Sequence, residues 1–470
     1  MPVFTRPRLL APVLILLFLG AALYAQAPAG SVQRAATVDA AEPFRLALAG
    51  DAIITRRLSV YREPAFLRLM DLVRGADASF VNLEMLFHDF EPYPMNESGG
   101  TYMRAEPALL KELTWAGFDM VARANNHTGD YGAEGMRLTT KHVVAAGLVE
   151  AGVGENLAEA REPKYLETAK GRVALISVAS TFPDHSRAGR ARGGVRGRPG
   201  LNPLRFTTTY TVTRARLEEL RATLKELGLR PGEQTDRLQF MNNTFVAGEA
   251  PAVRTEPNKE DLGEIVSAVR GARSLADQVL VTFHAHEGRP GDRFTPADFI
   301  VTFARAVVDA GATLVVGHGP HVLRGIEMYK GVPIFYSIGD FIFQNETVLR
   351  LPSENYEPFS LGPGAEVADF NAKRYDNDTK GFPADPYIWE AVLAMPSWRG
   401  GRLESVELHP ITLGHGRPPA ERGRPMLAEG DLARKIIDDL TRFSAPLGTK
   451  ITFEKGIGRV VLPPTTATAP

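Results

Sequence analysis

Residues 279–321, with the sequence VLVTFHAHEGRPGDRFTPADFIVTFARAVVDAGATLVVGHGPH, place a helical pattern between two short apolar runs. The runs predict strands at Gln278–Phe283 and Thr313–Gly317, because each is short, apolar and bounded by polar or glycine residues. The segment between them predicts a helix over Thr295–Ala310, since it opens on Thr-Pro and ends before a glycine. Strands that alternate with helices predict an α/β layered fold.

The same alternation extends to both sides of this stretch. Further strands are predicted at Phe44–Ala49, Ser79–Leu83, Phe118–Ala122, Arg172–Val178 and Pro333–Ile338. Helices are predicted at Pro64–Val73, Pro107–Trp115, Gly135–Ala146, Arg214–Leu227 and Gly430–Phe443. Tyr387–Met395 and Arg402–Thr412 resemble a hairpin around a Gly-Gly pair, which would close the fold near its C-terminal end.

The composition is that of an ordinary globular protein and excludes several classes of site. Apolar residues make up 44% of the 470 residues and charged residues 23%, so a large core can form. The formal net charge of −1 gives no sign of a nucleic-acid-binding surface, which usually carries a basic excess. The chain has no cysteine, which excludes disulfides, thiolate metal ligands, a cysteine nucleophile and a lipoprotein anchor.

The first 27 residues have the pattern of a secretory signal peptide. Arg6 and Arg8 form a basic start, residues 9–23 are apolar, and residues 25–27 supply a small-x-small cleavage pattern. The alternative is an uncleaved membrane anchor over residues 9–23, although this stretch is slightly shorter than the roughly 20 residues that a spanning helix needs. Both interpretations predict that the rest of the chain is exported, to a periplasmic or extracellular location.

The remaining chain divides by composition. Residues 28–42 are Ala-rich and predict a linker, and residues 43–345 predict the α/β core. Within that core, residues of about 186–258 are rich in Arg, Gly, Pro and Asn and predict an insertion, either a substrate-contacting lid or a solvated excursion. Residues 346–455 are expected to complete the core. Residues 456–470 predict a disordered tail.

Five short polar clusters follow strand candidates, which matters because ligands of α/β folds bind beyond the carboxyl ends of the strands. They are Gly50-Asp51, Asn82-Leu83-Glu84, Asn125-Asn126-His127, His284-Ala285-His286-Glu287 and Gly317-His318-Gly319-Pro320-His321. Carboxylate, amide and imidazole groups are common ligands of divalent metals. Each of the first three clusters also has a structural explanation: Asp51 as a turn residue, Glu84 as a salt-bridged core residue, and the Asn-Asn-His cluster as a polar turn.

The histidine clusters are more specific signals. His284 and His286 alternate along an extended segment, so their side chains point to one face unless the strand has already ended. His318 and His321 bracket Gly-Pro and have little packing rationale. Five of the ten histidines in the chain lie in three of these clusters, and this concentration favours a site over isolated structural histidines.

The order of these motifs resembles the CapA family of capsule and poly-γ-glutamate synthesis proteins, a branch of the calcineurin-like metallophosphoesterases. The runs Gly325–Tyr329 and Tyr336–Phe341 support the resemblance, which covers roughly residues 44–453. Family members often have Asn where this chain has Asp340. The resemblance implies a four-layer α/β/β/α sandwich with a long insertion and a short C-terminal extension.

The resemblance also implies roles for individual residues. The metal ligands that it implies are Asp51, Glu84, Asn126, His284, His286, His318 and His321. Asp51 and His127 would be the catalytic residues, the first as a ligand and the second as the acid that protonates the leaving oxygen. The metallophosphoesterase pattern has His where Ile53 stands, so His286 or Glu287 is the candidate for the missing ligand. A one-metal site, or a site that binds without turnover, stays an alternative.

The function implied is a two-metal hydrolase of the phosphoesterase type in capsule, poly-γ-glutamate or exopolysaccharide synthesis and export. Its cofactors would be two divalent ions, Mn, Fe or Zn, which suit mixed imidazole, amide and carboxylate ligands. Arg56 could bind substrate phosphate. The expected partners are an anionic polymer or a phosphoester and a membrane-bound capsule synthesis or export complex, with no nucleic acid. The alternatives are a non-catalytic polymer-binding component and hydrolysis of the polymer's amide bonds.

Overall fold

The computed structural model describes residues 42–463 except residues 233 and 242, and this part of the chain has a mixed α/β fold. The α/β class predicted from the sequence is confirmed. The predicted signal peptide or anchor, nearly all of the linker and residues 464–470 lie outside the described residues. Within the described residues, no helix is both long enough and apolar enough to cross a membrane.

The first sheet has ten strands. Across the sheet, eight of them lie in the order Ile451–Glu454, Ile457–Val460, Arg402–Thr412, Glu390–Arg399, Phe44–Ile53, Ala78–Leu83, Met120–Ala122 and Val149–Ala151. The last four run parallel to one another, and the first four are joined by antiparallel pairing. Asp340–Phe343 pairs in parallel with Phe44–Ile53, and Met426–Leu427 pairs with Arg402–Thr412.

The second sheet has six strands. Their order is Leu323–Tyr329, Val332–Ile338, Leu314–His318, Gln278–His284, Gly171–Ala179 and Lys164–Thr168. The four central strands are parallel, and an antiparallel strand covers each edge. Parallel strands bring their carboxyl ends to one edge of the sheet, which is where the sequence places its polar clusters.

Three core clusters explain why the sheets and helices pack as they do. Side chains at alternate positions of a strand point to opposite faces. In the strand Phe44–Ile53, Leu46 and Leu48 accordingly join a core that also contains Leu280 and Val316 of the second sheet. A second core lies between the first sheet and helices Pro64–Arg74, Leu110–Ala116 and Gly132–Ala145. A third lies between the second sheet and helices Lys259–Arg273 and Asp298–Asp309.

The helix of the opening stretch begins later than predicted. The chain forms the strand Asp292–Pro296, which pairs with Gly288–Arg289, and the helix starts at Asp298. The Thr-Pro pair therefore ends a hairpin and does not open the helix. The reason is local, because the side chain of Asp292 accepts hydrogen bonds from Phe294 N and from Thr295 Oγ1 and stabilises the turn.

The segment predicted as an insertion contains a sheet that the sequence did not reveal. Its strands Phe206–Val212, Arg237–Phe240, Asn243–Ala247 and Ala252–Pro257 form a four-stranded sheet, and helix Arg214–Glu226 packs on it. This unit has a small core of its own formed by Leu217, Leu224 and Leu238.

The C-terminal part contains helices of different lengths and the strands that extend the first sheet. The helices are Ser353–Tyr356, Val367–Tyr375 and Gly430–Ser444, and Leu157–Arg161 is a further short helix of the core. The predicted hairpin is present as Glu390–Arg399 and Arg402–Thr412. Within the segment from residue 456 that was predicted to be a disordered tail, Ile457–Val460 instead forms a strand that pairs on both sides.

Candidate metal centre

Neighbouring strands bring the polar clusters together. His284 and His318 end adjacent parallel strands and lie opposite each other in the register. In the first sheet, Asp51 lies opposite Asn82 on one side and Asp340 on the other. Polar residues that are far apart in the chain therefore meet where both sheets end.

A close approach of two backbones positions Asp51. The backbone N–H of Asp51 donates to Gly339 O at 3.2 Å, and the pairing register of its strand shifts between Leu48 and Asp51. A Cβ on Gly50 would lie 1.7 Å from Gly339 O, so this position requires glycine. Gly50 is thus needed for the close approach of the two backbones, and Asp51 supplies the carboxylate.

The first group of candidate ligands consists of Asp51, His284 and His318, all fully buried. The Oδ1 atom of Asp51 lies 3.6 Å from His318 Nδ1 and 3.9 Å from His284 Nδ1. The two Nδ1 atoms are 3.1 Å apart. A carboxylate and two imidazoles at these separations can converge on one cation.

Two further groups share ligands with the first. One contains Glu84, His284 and His286, and the other contains Asp51, Glu84 and His321. Glu84 Oε1 lies 3.7 Å from the Nε2 atoms of both His284 and His321, and the Nε2 atoms of His284 and His286 are 3.0 Å apart. Together the three groups contain six different residues, more than the four ligands of a typical tetrahedral ion, so the cluster can supply ligands to more than one ion.

Unpaired oxygen atoms show that the cluster fits metal ions. Both carboxylate oxygens of Glu84 are buried with no hydrogen-bond partner among the described residues, as are Asn126 Oδ1 and Asp340 Oδ2. The amide nitrogen of Asn126 donates to Gly99 O at 2.9 Å, which leaves its oxygen for another ligand. Buried oxygens without partners are costly, and bound cations would satisfy them.

The loop Gly317–His321 is held in a strained conformation. His321 has φ +55°, which is unusual for a residue other than glycine, and its Nδ1 lies 2.8 Å from Asp340 Oδ1. Gly319 has φ +110°, and its N–H donates to Asp51 Oδ2 at 2.8 Å. A Cβ on Gly319 would lie 3.0 Å from ring atoms of His284 and His286. The glycine therefore allows the histidines to pack closely.

Burial sets the protonation of the cluster. Burial and then the nearby Asp340 charge raise the pKa of Asp51 to about 7, although the His321 charge and hydrogen bonds act in the opposite direction. Burial and the neighbouring carboxylates likewise hold the pKa of Glu84 well above its usual value. Burial lowers the pKa of His318 to about 3, and burial with the neighbouring histidines lowers that of His284. The imidazoles are thus neutral at physiological pH, the form that binds metal.

His127 stands beside the cluster with its ring fixed. Its Nδ1 lies 2.7 Å from Asp130 Oδ2, and its Nε2 lies 3.9 Å from Glu84 Oε1. Asp130 is held in turn by the N–H groups of Gly99 and Met103, each at 2.9 Å. With Nδ1 held by a carboxylate, Nε2 is the atom directed towards the cluster.

Some predicted residues lie in other contact networks. The guanidinium of Arg56 donates to the carbonyl oxygens of Ala420 and Arg422 and to Thr347 Oγ1 at 3.2 Å. Glu287 accepts hydrogen bonds from the hydroxyl groups of Ser180 and Thr181. Of the two candidates for the missing ligand, His286 is the one that lies in the cluster.

The sequence did not assign roles to four residues that support the cluster. Asn82 donates to Asp51 Oδ1 at 2.6 Å, and Thr282 bonds to His318 Nε2. The other two are Asp130 and Asp340. Asp130 follows His127 by three residues, and this spacing was the available signal. The sequence around Thr282 gives no such signal, because a threonine two residues before His284 in a buried strand looks like an ordinary core residue.

Comparison with known proteins gives the family. The family model of the bacterial capsule synthesis protein PGA_cap matches residues 45–345, well over half of the chain. The chain belongs to the PGA_cap family. This family is part of the metallophosphoesterase-like superfamily, as the motif order suggested. All the candidate ligands lie within the matched residues.

Relatives of this PGA_cap chain include an uncharacterized protein and two proteins whose names refer to capsule or PGA biosynthesis. The Sinorhizobium fredii protein y4sH is 37% identical over 438 residues, which cover 89% of this chain and 93% of the relative. "Capsule biosynthesis protein CapA" of Bacillus anthracis is 26% identical, covering 64% of this chain and 60% of its own. "PGA biosynthesis protein CapA" of Bacillus subtilis is 25% identical, covering 57% and 58%. A solved structure of a hypothetical Thermus thermophilus protein is 14% identical and covers 78% of this chain and 98% of its own, with a TM-score of 0.34.

Proposed function

We propose that this protein is an exported metal-dependent hydrolase of the phosphoesterase type that acts in the synthesis or export of a capsule polymer. The observation that carries the proposal is the convergence of buried carboxylates and neutral imidazoles in three overlapping ligand groups. Unpaired polar atoms at the same place support it. A carboxylate with both oxygens buried and without partners is rare in a purely structural core.

The ligand set fits two divalent ions of the Mn, Fe or Zn type, because it mixes imidazole, amide and carboxylate donors. Asp51, His284 and His318 would hold one ion, and Glu84, His286 and His321 are available to the other, with Asn126 Oδ1 as a further donor. When bound, such ions supply Lewis-acid stabilisation of charge that develops on a phosphoryl group.

The chain's own contribution to the reaction is a positioned acid. His127 Nε2 is directed towards the cluster, and the carboxylate of Asp130 holds its Nδ1. A proton on Nε2 can therefore be delivered to a leaving oxygen, while Asp130 holds the ring in this orientation. Because the buried strands fix the neighbouring ligands, the geometry needs little rearrangement before reaction.

The biological setting is inferred from the relatives and the leader. Two Bacillus relatives carry names that refer to capsule or PGA biosynthesis. The signal-peptide pattern of residues 1–27 supports export, where a capsule polymer is assembled. We infer that the substrate is an anionic polymer, or a phosphoester linked to its synthesis, and that the protein works beside a membrane-bound synthesis or export complex.

Metal analysis and hydrolysis assays test the proposal together. Purified protein reconstituted with Mn²⁺, Fe²⁺ or Zn²⁺ should bind metal and cleave bis(p-nitrophenyl) phosphate. His318→Ala should lose both properties because it removes a ligand. His127→Ala should keep its metal and lose about 10²–10⁴-fold in kcat. The exposed His415 provides the control variant His415→Ala, which should behave as wild type.

The outcomes separate the candidate functions. Metal binding without phosphoester or γ-glutamyl amide cleavage would favour a non-catalytic polymer-binding component. The buried Ile53, which stands where related enzymes have a ligand, is the observation that favours this second candidate. No metal above background after reconstitution would overturn both the hydrolase proposal and its cofactors.

A further inference from the structure

Helix Val367–Tyr375, in the C-terminal part of the chain, brings a cation to the edge of the metal centre. Arg374, in its last turn, donates to Thr101 Oγ1. Thr101 is two residues from Gly99, whose carbonyl oxygen holds the amide of Asn126. On its other side, the guanidinium lies 5.7 Å from the ring centroid of Phe382.

Phe382 in turn connects Arg374 with the ligand His321. The ring centroids of Phe382 and His321 are 5.5 Å apart. Arg374 therefore lies beside two parts of the centre, the loop that holds Asn126 and the histidine of the Gly-Pro turn.

The guanidinium of Arg374 has few partners for its position. Arginine has five N–H donors, and within the described part of the chain its one hydrogen bond is to Thr101. No carboxylate among the described residues lies within ion-pair distance. Three aromatic rings, those of Phe370, Tyr375 and Phe382, lie 5.2–5.7 Å from its Cζ. A half-buried cation enclosed by rings and without a counter-ion has capacity for an anionic ligand.

The surrounding structure holds Arg374 in place. Asn345 donates to the hydroxyl of Tyr375 at 3.0 Å, and Asn371 donates to Glu346 O at 2.9 Å. The helix is thus fixed to the segment that directly follows the strand of Asp340. After the helix, three successive residues have positive φ, at 50°, 54° and 68°, and these turn the chain back towards Phe382. The position of the guanidinium is therefore determined by the fold and not by a mobile loop.

We propose that Arg374 binds an oxyanion of the substrate, a phosphoryl or carboxylate group, beside the metal centre. The proposal rests on the proposed function and assigns a substrate-binding role to a residue outside the family match of residues 45–345. The fork of a guanidinium can give two parallel hydrogen bonds to either oxyanion. Arg374 thus replaces Arg56, whose guanidinium is already occupied by carbonyl oxygens, as the candidate anion-binding residue.

Equilibrium binding tests this role without relying on turnover. Metal-reconstituted wild-type protein is titrated with inorganic phosphate and, separately, with γ-glutamylglutamate, and binding is followed by calorimetry. Arg374→Gln should weaken binding of the preferred anion by about 10-fold or more, the usual loss when a charge-assisted hydrogen bond is removed. Its metal content and melting temperature should stay unchanged. The exposed neighbour Lys373 gives the matched control Lys373→Gln, which should bind as wild type.

Each result decides the proposal. Equal affinity in the wild type and Arg374→Gln would overturn it. An equal loss of affinity in Arg374→Gln and the control Lys373→Gln would also overturn it, as would failure of the wild type to bind either anion. If Arg374→Gln does not fold, Arg374→Lys keeps the charge without the fork and should raise KM several-fold with little change in kcat. Arg374-dependent anion binding in a protein that hydrolyses nothing would support this inference and refute the hydrolase. Hydrolysis that does not change in the Arg374 variants would support the hydrolase and refute this inference.

Discussion

Glu84 shows how a single residue can oppose stability and serve function. Its carboxylate is fully buried, and neither oxygen has a hydrogen-bond partner among the described residues. Burial and the charges of Asp51 and Asp340 hold its pKa well above the usual value. A buried, unpaired carboxyl typically costs about 1–3 kcal/mol, so its presence needs a compensating ligand. Divalent cations are the ligand that this donor set fits.

The residue types of the site could be predicted from the sequence, and their partners could not. Asp51 and His318 follow apolar strands, and parallel strands bring their ends to one edge. By contrast, the contacts of Asp340 with His321 and of Asp130 with His127 depend on how turns fold in three dimensions. Strand ends are encoded locally, whereas these contacts arise from tertiary packing.

Asp130→Asn tests whether the orientation of His127 matters. The substitution replaces one acceptor oxygen by an NH₂ donor, although Asp130 now accepts from His127, Gly99 and Met103. The metal-loaded variant should lose about 10²-fold or more in kcat, since His127 loses the acceptor on its Nδ1. Its metal content should match the wild type. The exposed Asp184 gives the control Asp184→Asn, and wild-type kcat in both variants would contradict an orienting role for Asp130.

At the scale of elements, apolar strands were predictable and polar ones were not. The strand Gln278–His284 is buried throughout, and its apolar run predicted it almost to the residue. The strand Phe206–Val212, with sequence FTTTYTV, is half-buried, and its threonines resemble a polar excursion. Its pairing with Asn243–Ala247 and Ala252–Pro257 creates the sheet of the inserted segment. Long-range pairing of this kind leaves only a weak trace in a single sequence.

The small core of the inserted segment predicts that it can loosen independently of the metal centre. Leu217 is fully buried against Leu224 and Leu238, apart from the cores of the main sheets. Leu217→Ala should weaken that unit by about 2–5 kcal/mol through the cavity it leaves. Limited proteolysis should then cut within residues 206–257 sooner, with unchanged metal content.

A variant in the main core provides the comparison. Leu280 lies fully buried between the two sheets, in the strand that carries His284. Leu280→Ala should lower the melting temperature of the whole protein and weaken metal binding. If Leu217→Ala had the same effect on metal content, the inserted segment would have to be part of the structural support of the centre.

At the scale of the whole molecule, the metal centre joins the two sheets. Asp51 comes from the first sheet, and His284 and His318 come from the second. Without cations, the junction brings together carboxyl groups whose ionised forms repel one another. With cations, the same groups become attractive contacts between the sheets. Metal binding should therefore stabilise the protein as a unit and not only the loops that carry the ligands.

This coupling predicts that the stability of the metal-free protein falls as the pH rises, opposite to the effect of most carboxyl groups on stability. The pKa of Asp51 is raised from 3.8 to about 7, so the metal-free folded state keeps a proton that the unfolded state releases. Stability from this group is present at low pH and is lost as the pH rises from about 4 to about 7, by roughly 1.4 kcal/mol per pH unit and proton. The pKa values of Glu84 and Asp340 shift in the same direction.

The melting temperature of metal-loaded protein should therefore exceed that of metal-free protein by an amount that grows with pH. Asp51→Asn should reduce the increase of this difference with pH. Parallel pH profiles for the loaded and metal-free proteins would show that these carboxyl groups do not bind the ions.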